Sequence, residues 1–154
     1  MVDGAQGTVV AAGEGQGASL QFGNRLEVKA SAASGMKFGF FRSSLPKGAG
    51  WPFLHLHRSH DEAIYVVDGE VEFRLGDRYV TAHAGAGVLL PAGVPHCFKA
   101  LEESTLVAIV SPADAVDMVV ELAGADGDPS RFAEILTRYD TELLEQRPHW
   151  APAT

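Results

Sequence analysis

The chain has 154 residues, a length that fits one domain and leaves little room for a second. Hydrophobic residues make up 46% of it and charged residues 21%, the balance of a folded globular protein rather than a disordered one. Twelve basic residues stand against 20 acidic ones, so the net charge of −8 argues against nucleic acids and anionic membranes as partners.

The N-terminus and the cysteine content favour a cytoplasmic location. The opening residues lack the basic stretch and apolar run of a secretory signal, and no apolar run reaches the roughly 18 residues of a membrane helix. The single cysteine, Cys97, has no partner for an internal disulfide. The fold is therefore expected not to depend on an oxidising compartment.

Short strands separated by turns dominate the chain from residue 19 to residue 111, after an arm at 1–18 that is loose or forms a short edge strand. Asp68-Gly69 between two alternating runs is a hairpin signal, because glycine takes the positive φ that the turn needs. Without intervening helices, such strands predict a sandwich or a barrel. The predicted strands are 19–22, 25–30, 36–42, 52–57, 62–67, 70–75, 79–82, 87–90, 95–99 and 105–110.

The remaining segment, 112–154, is predicted to form helices and a tail. Ser111-Pro112 with Asp114 favours a helix start, and that helix is expected to run to about Leu122. Asp128-Pro129 opens a second helix, whose apolar stripe would cover the barrel wall or a second subunit. The stripe consists of Phe132, Ile135, Leu136, Tyr139, Leu143 and Leu144.

The strongest chemical signal is a set of three histidines and one glutamate. His55 and His57 are two residues apart, so on a strand both imidazoles lie on one face. Glu62 follows after a short step, and His96 follows a Pro/Gly turn further along. Three neutral imidazoles and one carboxylate suit a divalent transition metal, namely Fe, Mn, Ni, Co, Cu or Zn. Four protein ligands leave coordination positions open, which is typical of a catalytic site.

These residues resemble the two sequence motifs of the cupin superfamily. The first motif is a glycine, HxH, four residues, a glutamate, six residues and a glycine; the second is a glycine, five residues, PxG, two residues, a histidine, three residues and an asparagine. Matching positions are His55, His57, Glu62 and Gly69 in the first motif, and Gly85, Pro91, Gly93 and His96 in the second. The sequence departs from the patterns at Ala49, where the first glycine is expected, and at Ala100, which replaces the asparagine.

The resemblance implies an all-β fold, a cupin-type double-stranded β-helix barrel with a C-terminal helical appendage. It implies that His55, His57, Glu62 and His96 hold one metal ion inside the barrel. Cupins commonly dimerise through the outer barrel face. Residues 63–67 are apolar on both faces, which agrees with a homodimer.

Five residues are candidates for the wall of a substrate pocket. Phe53, Phe73 and Phe98 share the parity expected of inward positions, although they could equally fill the core. Phe40 and Arg42 share a strand face near the first motif, and an inward Arg42 would clamp an enolate, whereas an outward one would be an ordinary surface arginine. His60, between the ligand strands, is either a base close to the metal site or an exposed turn residue. Cys97 should face away from the metal and serve packing.

The resemblance implies a metal-dependent, quercetinase-like dioxygenase that binds a small enol or polyphenol. In that scheme Glu62 accepts the substrate hydroxyl proton, and O₂ is the second substrate. One alternative is an O₂-independent isomerase, cyclase or decarboxylase, in which the metal acts as a Lewis acid. Another is a non-enzymatic cupin that binds a small molecule. No DNA-binding domain accompanies the barrel, which weighs against a transcriptional regulator.

Overall fold

Two antiparallel β-sheets make up most of the computed structural model, which describes residues 6–20 and 22–145. The strands are β1 (Gln16–Ser19), β2 (Arg25–Ala30), β3 (Gly39–Leu45), β4 (Gly50–His57), β5 (Asp61–Asp68), β6 (Glu70–Leu75), β7 (Arg78–His83), β8 (Gly87–Leu90), β9 (His96–Ala100), β10 (Ser104–Ser111) and β11 (Thr141–Leu143). One sheet has the order β1-β2-β3-β10-β5-β8 and the other the order β11-β4-β9-β6-β7. A single 3-10 turn at Ala32–Ser34 lies between β2 and β3.

Alternating side chains place the core between the two sheets. On β3 the buried residues Phe41 and Leu45 alternate with the exposed Arg42. On β6 Val71 and Phe73 are completely buried. This alternation follows from the two-residue repeat of a strand, which turns successive side chains to opposite faces. The all-β barrel predicted from the sequence is confirmed.

Two glycines stand where the backbone leaves no room for a side chain. Gly69 joins β5 to β6 with a φ of +89°, and a Cβ there would collide with Ser104. The hairpin predicted at Asp68-Gly69 is wrong, because β5 pairs with β10 and β8 whereas β6 pairs with β9 and β7 in the other sheet. Gly50 begins β4, and a Cβ at this position would collide with the backbone of Phe98 in β9. The position where β4 comes too close to β9 for a side chain is therefore Gly50. The first cupin motif expects its glycine one residue earlier, at Ala49.

The N-terminal boundary differs from the prediction. Residues 16–19 form β1, which pairs with β2 from Gln16 opposite Val28 to Ser19 opposite Arg25. The predicted strand at 19–22 is wrong, because Leu20 instead begins a turn in which its N–H donates to the Asn24 carbonyl. Residues 1–5, 21 and 146–154 lie outside the described part of the chain.

In the described part of the C-terminal segment the chain forms two helices, α1 (Ala115–Ala123) and α2 (Pro129–Arg138). The first begins later than Ser111-Pro112 suggests, because β10 continues to Ser111 and Asp114 takes the N-cap position. The second begins as expected, since the Asp128 carboxylate accepts hydrogen bonds from the backbone N–H groups of Ser130 and Arg131. No helix among the described residues is long and apolar enough to cross a membrane.

The expected helical stripe through Leu143 and Leu144 is wrong. The helix ends at Arg138, and Asp140 takes a left-handed conformation with a φ of +53° that redirects the chain. Thr141–Leu143 then pairs with β4 as the edge strand β11. The backbone groups of this segment therefore find their hydrogen-bond partners in the barrel rather than in a helix.

Candidate metal centre

Three buried histidines lie together on two neighbouring strands. His55 and His57 lie on β4, and His96 on β9 is directly opposite His55. One ring nitrogen from each of the three lies within 4.8 Å of the others. The two-residue spacing on β4 and the pairing with β9 thus bring the three predicted imidazoles to one place.

Backbone carbonyls fix the ring orientation of two of these histidines. His55 Nδ1 lies 2.9 Å from the carbonyl oxygen of Phe53, and His96 Nδ1 lies 2.9 Å from that of Val94. A carbonyl oxygen only accepts, so in each ring Nδ1 donates its hydrogen. In the neutral imidazole this leaves the lone pair on Nε2, the form that binds a metal.

The third histidine is oriented by the C-terminal strand. His57 Nδ1 lies 2.9 Å from the hydroxyl oxygen of Thr141, which is opposite His57 in the β4–β11 pair. That hydroxyl can donate to the Tyr139 carbonyl at 3.4 Å and accept from His57. Thr141 was missed in the sequence because its segment reads as the end of a helix. The available signal was a β-branched residue after Asp140, beyond the last turn of the helix.

Glu62 brings a carboxylate to the same place from the other sheet. Its Oε2 atom lies 3.5 Å from His57 Nε2 and 3.4 Å from His96 Nε2. Burial by itself would raise the pKa of the Glu62 carboxyl, but the neighbouring His57 and His96 rings outweigh this effect, and the pKa is well below its usual range. The group is therefore an anion at neutral pH.

This donor set fits a divalent transition metal. Burial, followed by the neighbouring His96 and His57, lowers the pKa of His55 far below its ordinary value, so the ring is neutral and can act as a ligand. Ligand atoms about 2.1 Å from one ion lie roughly 3 to 4 Å from one another. The distances from Glu62 to His57 and His96 fall in that range. Converging lone pairs and a buried carboxylate are an unfavourable arrangement that a cation relieves.

The three histidines and Glu62 line a largely apolar cavity between the sheets. Of the five predicted pocket residues, Phe98 lines this cavity. Phe73 is completely buried in the core behind it, with its ring 5.5 Å from that of Phe98. Phe53 lies outside the cavity lining and makes edge contacts with Phe22, Trp51 and Phe132.

The prediction that Phe40 and Arg42 line the pocket is wrong. On β3 the inward positions are Phe41, Ser43 and Leu45, so Phe40 and Arg42 lie on the outer face. Arg42 is exposed and donates a hydrogen bond to the Ser44 hydroxyl. Phe41 takes the place in the cavity that the sequence had suggested for Phe40.

His60 and Cys97 are both buried. His60 is only 5% exposed and lines the cavity, with its ring stacked 4.0 Å from that of His57, so it is not the exposed turn residue that the sequence allowed. Burial lowers the pKa of His60 to about 4, and the ring is neutral at pH 7. Cys97 follows His96 on the other face of β9, as expected, and burial raises the pKa of its thiol to about 11.

Comparisons with known proteins point to one family. Residues 41–112 match the family model described as a cupin domain. The chain is 33% identical over 137 residues to quercetin 2,3-dioxygenase from Bacillus subtilis (strain 168), an alignment that covers 86% of this chain. It spans only 39% of the length of that relative.

Solved structures share the barrel. The structure of KdgF from a Halomonas species has a TM-score of 0.62 at 23% identity and covers 70% of this chain and 94% of its own. The crystal structure of ectoine synthase from P. lautus has a TM-score of 0.59 at 20% identity and covers 89% of this chain and 83% of its own. At these identities the likeness is one of fold.

Proposed function

The chain belongs to the cupin superfamily, and we propose that it is a metal-dependent dioxygenase acting on a small enol or phenol. The observation that carries this proposal is the convergence of His55, His57, His96 and Glu62 at an apolar cavity. The resemblance to a quercetin 2,3-dioxygenase supports the choice of reaction.

The four converging side chains would hold the ion. A bound divalent transition metal supplies Lewis-acid chemistry, and Fe, Mn, Ni, Co, Cu and Zn all suit three imidazoles and a carboxylate. The Nδ1 hydrogen bonds of the three histidines keep their rings in place before anything binds.

Glu62 is the proposed base. Its carboxylate is ionised and only 13% exposed, so it can accept the proton of a substrate hydroxyl at Oε1 or Oε2. The cavity wall near it is apolar and includes Phe41, Ile64 and Phe98. Such a wall excludes water and favours a flat, weakly polar substrate over a sugar or a charged metabolite.

Oxygen uptake tests this function. The protein is loaded separately with each of the six metals and mixed with phenolic and enolic compounds in an oxygen electrode. We expect one metal form to consume O₂ together with substrate. The variant Glu62→Gln should lose turnover by about 100-fold while it retains most of its metal. Glu103→Gln, an exposed glutamate between β9 and β10, is the matched control and should keep full activity.

Other outcomes assign other functions. Substrate conversion without O₂ uptake would contradict the dioxygenase and point to an isomerase, cyclase or decarboxylase. Binding without conversion in every metal form would point to a small-molecule-binding protein. Full activity of Glu62→Gln would exclude Glu62 as the base.

We also propose that the protein is a homodimer. Apolar side chains project from the outer face of β5, β8 and β10, where Tyr65 is 50% exposed and Leu89 is 75% exposed. Val67 and Ile109 extend this surface on β5 and β10. A second copy of the chain would cover it and would also protect β8, the edge strand of its sheet.

A further inference from the structure

Three buried polar atoms in the cavity have no hydrogen-bond partner among the residues that the structure describes. They are Asn24 Oδ1, Ser43 Oγ and Trp51 Nε1. All three side chains line the same cavity as the histidines, and each is at most 7% exposed. Buried polar groups in native proteins are nearly always paired, because an unpaired one loses its hydration without compensation. Three in one cavity indicate a site that is completed by a ligand.

The register of the strands separates Ser43 and Asn24 from Glu62. Val110 of β10 is opposite Glu62 of β5 on one side and Gly39 of β3 on the other. Ser43 lies four residues further along β3, opposite Leu106. Four residues of a strand span about 13 Å. Asn24 directly precedes Arg25, which pairs with Ser44, so it lies at the same end as Ser43.

Trp51 is the third of these cavity-lining residues. Its ring makes an edge contact with the His55 ring at 5.4 Å, and its backbone pairs with Phe98. Phe132 of α2 stacks on its other side at 5.5 Å, which fixes the plane of the indole. The indole N–H is therefore held in place as a hydrogen-bond donor at the cavity wall, four residues along β4 from His55.

The chemistry of the three atoms defines their ligand. Asn24 Oδ1 accepts, Trp51 Nε1 donates, and the Ser43 hydroxyl does both. Glu62 is the only carboxylate among the described residues that line the cavity, and they include no lysine or arginine. A charged ligand group would thus find no counter-ion at the Ser43 end, whereas a neutral hydroxyl would find both a donor and an acceptor.

We propose that Asn24, Ser43 and Trp51 form a second polar subsite, which binds a neutral hydroxyl group of the substrate at the end of the cavity away from Glu62. This inference rests on the proposed function, because it assumes that the same substrate places an enol or phenol oxygen near Glu62. It narrows the substrate class to elongated molecules with a hydroxyl group at each end and an apolar middle.

Two catechols with the same number of non-hydrogen atoms test the subsite. They are 4-(2-hydroxyethyl)catechol, whose side chain ends in a hydroxyl group, and 4-propylcatechol, whose side chain ends in a methyl group instead. Both are titrated without oxygen into the zinc-loaded protein. We expect the hydroxyethyl compound to bind about tenfold more tightly, the effect of one or two hydrogen bonds. In Ser43→Ala and Trp51→Phe this ratio should fall towards one.

Two equally buried serines provide a second test, on stability. Ser43 and Ser104 are each 3% exposed, but Ser104 Oγ accepts from the Glu70 N–H and donates to the Glu102 carbonyl. Ser43→Ala removes an unpaired hydroxyl, so the unfolding midpoint should stay the same or rise. Ser104→Ala removes a paired one and should lower the midpoint.

The outcomes separate this subsite from the proposed dioxygenase activity. Equal binding of the two catechols, binding of neither, or a lower unfolding midpoint for Ser43→Ala would overturn the subsite. The binding experiment consumes no oxygen. Selective binding in a protein that takes up no O₂ would therefore retain the subsite and reject the dioxygenase.

Discussion

Hydrogen bonds at Nδ1 determine what each histidine of the site can do. His55 and His96 donate to backbone carbonyls, which need no particular side chain, and His57 bonds to the Thr141 hydroxyl. The first two orientations follow from the backbone of β4 and of the segment just before β9. The third depends on a residue 84 positions away along the chain. Of the three ring orientations, that of His57 is therefore the one that substitution of a partner side chain can disturb.

Acid should destabilise the metal-free protein through His60. The pKa of this histidine is about 4 in the folded chain against an ordinary value of 6.5, because the ring is buried. Between these values the unfolded chain binds the proton and the folded chain does not, so stability falls as the pH falls from about 6.5 to about 4. The loss from His60 amounts to at most about 3 kcal/mol. Denaturant titrations across this range measure it.

The same substitution, histidine to glutamine, at His60 and at His83 isolates the contribution of His60 to the pH dependence of stability. In His60→Gln the dependence of the unfolding free energy on pH should be clearly shallower than in the wild type. His83→Gln, at a side chain that is 70% exposed, serves as the control for the substitution itself. Equal pH dependence in the wild type and His60→Gln would contradict the account of His60.

The residue patterns explain why some sites could be predicted and others not. The spacing of His55 and His57, with the cupin motifs, was enough to predict the histidine cluster that the structure brings together. On β3, however, aromatic residues occupy both faces, Phe40 outside and Phe41 inside, so alternation alone could not decide which face is buried. The burial of His60 depends on stacking with His57, which no local pattern encodes.

At the scale of elements, β11 completes the metal centre from outside the segment that matches the family model. Thr141 pairs with His57 and Leu143 with His55, so the strand runs along the two proposed ligand positions of β4. The helix α2 delivers the chain to this edge and places Phe132 on Trp51. The C-terminal segment is thus part of the site rather than a separate appendage.

Removal of the Thr141 hydroxyl should weaken metal binding. In Thr141→Val the shape is retained but His57 Nδ1 loses its partner, so we expect metal affinity to fall by at least about tenfold. Competition with a chelator measures this directly, without any assay of activity. Thr141→Ser keeps a hydroxyl and should bind metal much like the wild type.

A threonine on α2 serves as the control for this substitution. The Thr137 hydroxyl donates to the Ala133 carbonyl on the exposed side of the helix, so Thr137→Val should leave metal affinity unchanged. Wild-type affinity in Thr141→Val would mean that the β4 backbone alone orients His57. The strand β11 would then have a packing role only.

Local propensity could not reveal β11. Its three residues continue the apolar period of the preceding helix, so Leu143 and Leu144 fit a helical stripe as well as a strand. The decisive features are the left-handed Asp140 and the free edge of β4, and the second of these exists only in the folded barrel. By contrast, the change of chain direction at Gly69 was predictable from the glycine, but the hairpin was not formed, because the strand on each side pairs within a different sheet.

At the scale of the whole molecule, the apolar outer face of β5, β8 and β10 predicts association. The wild type should have twice the 16.3 kDa mass of the chain in light scattering coupled to size-exclusion chromatography. Val67→Glu places a charge within this face and should shift the protein to the monomer. Val80→Glu introduces the same charge on β7 of the other sheet, where Val80 is 39% exposed, and should leave the dimer intact.

A monomeric wild type would contradict the proposed dimer without affecting the metal centre. The cavity is lined by residues of one chain, and all four proposed ligands come from it. Monomerisation of both variants alike would show that association does not depend on the face around Val67.

The metal content of the purified protein tests the central claim most directly. Mass spectrometry on tag-free wild type should find close to one divalent transition metal per chain. The variant His96→Ala, checked for folding by circular dichroism, should have lost it, because His96 supplies one of the four converging ligand atoms. An absence of metal from the wild type, even after incubation with each candidate ion, would contradict the account of the site.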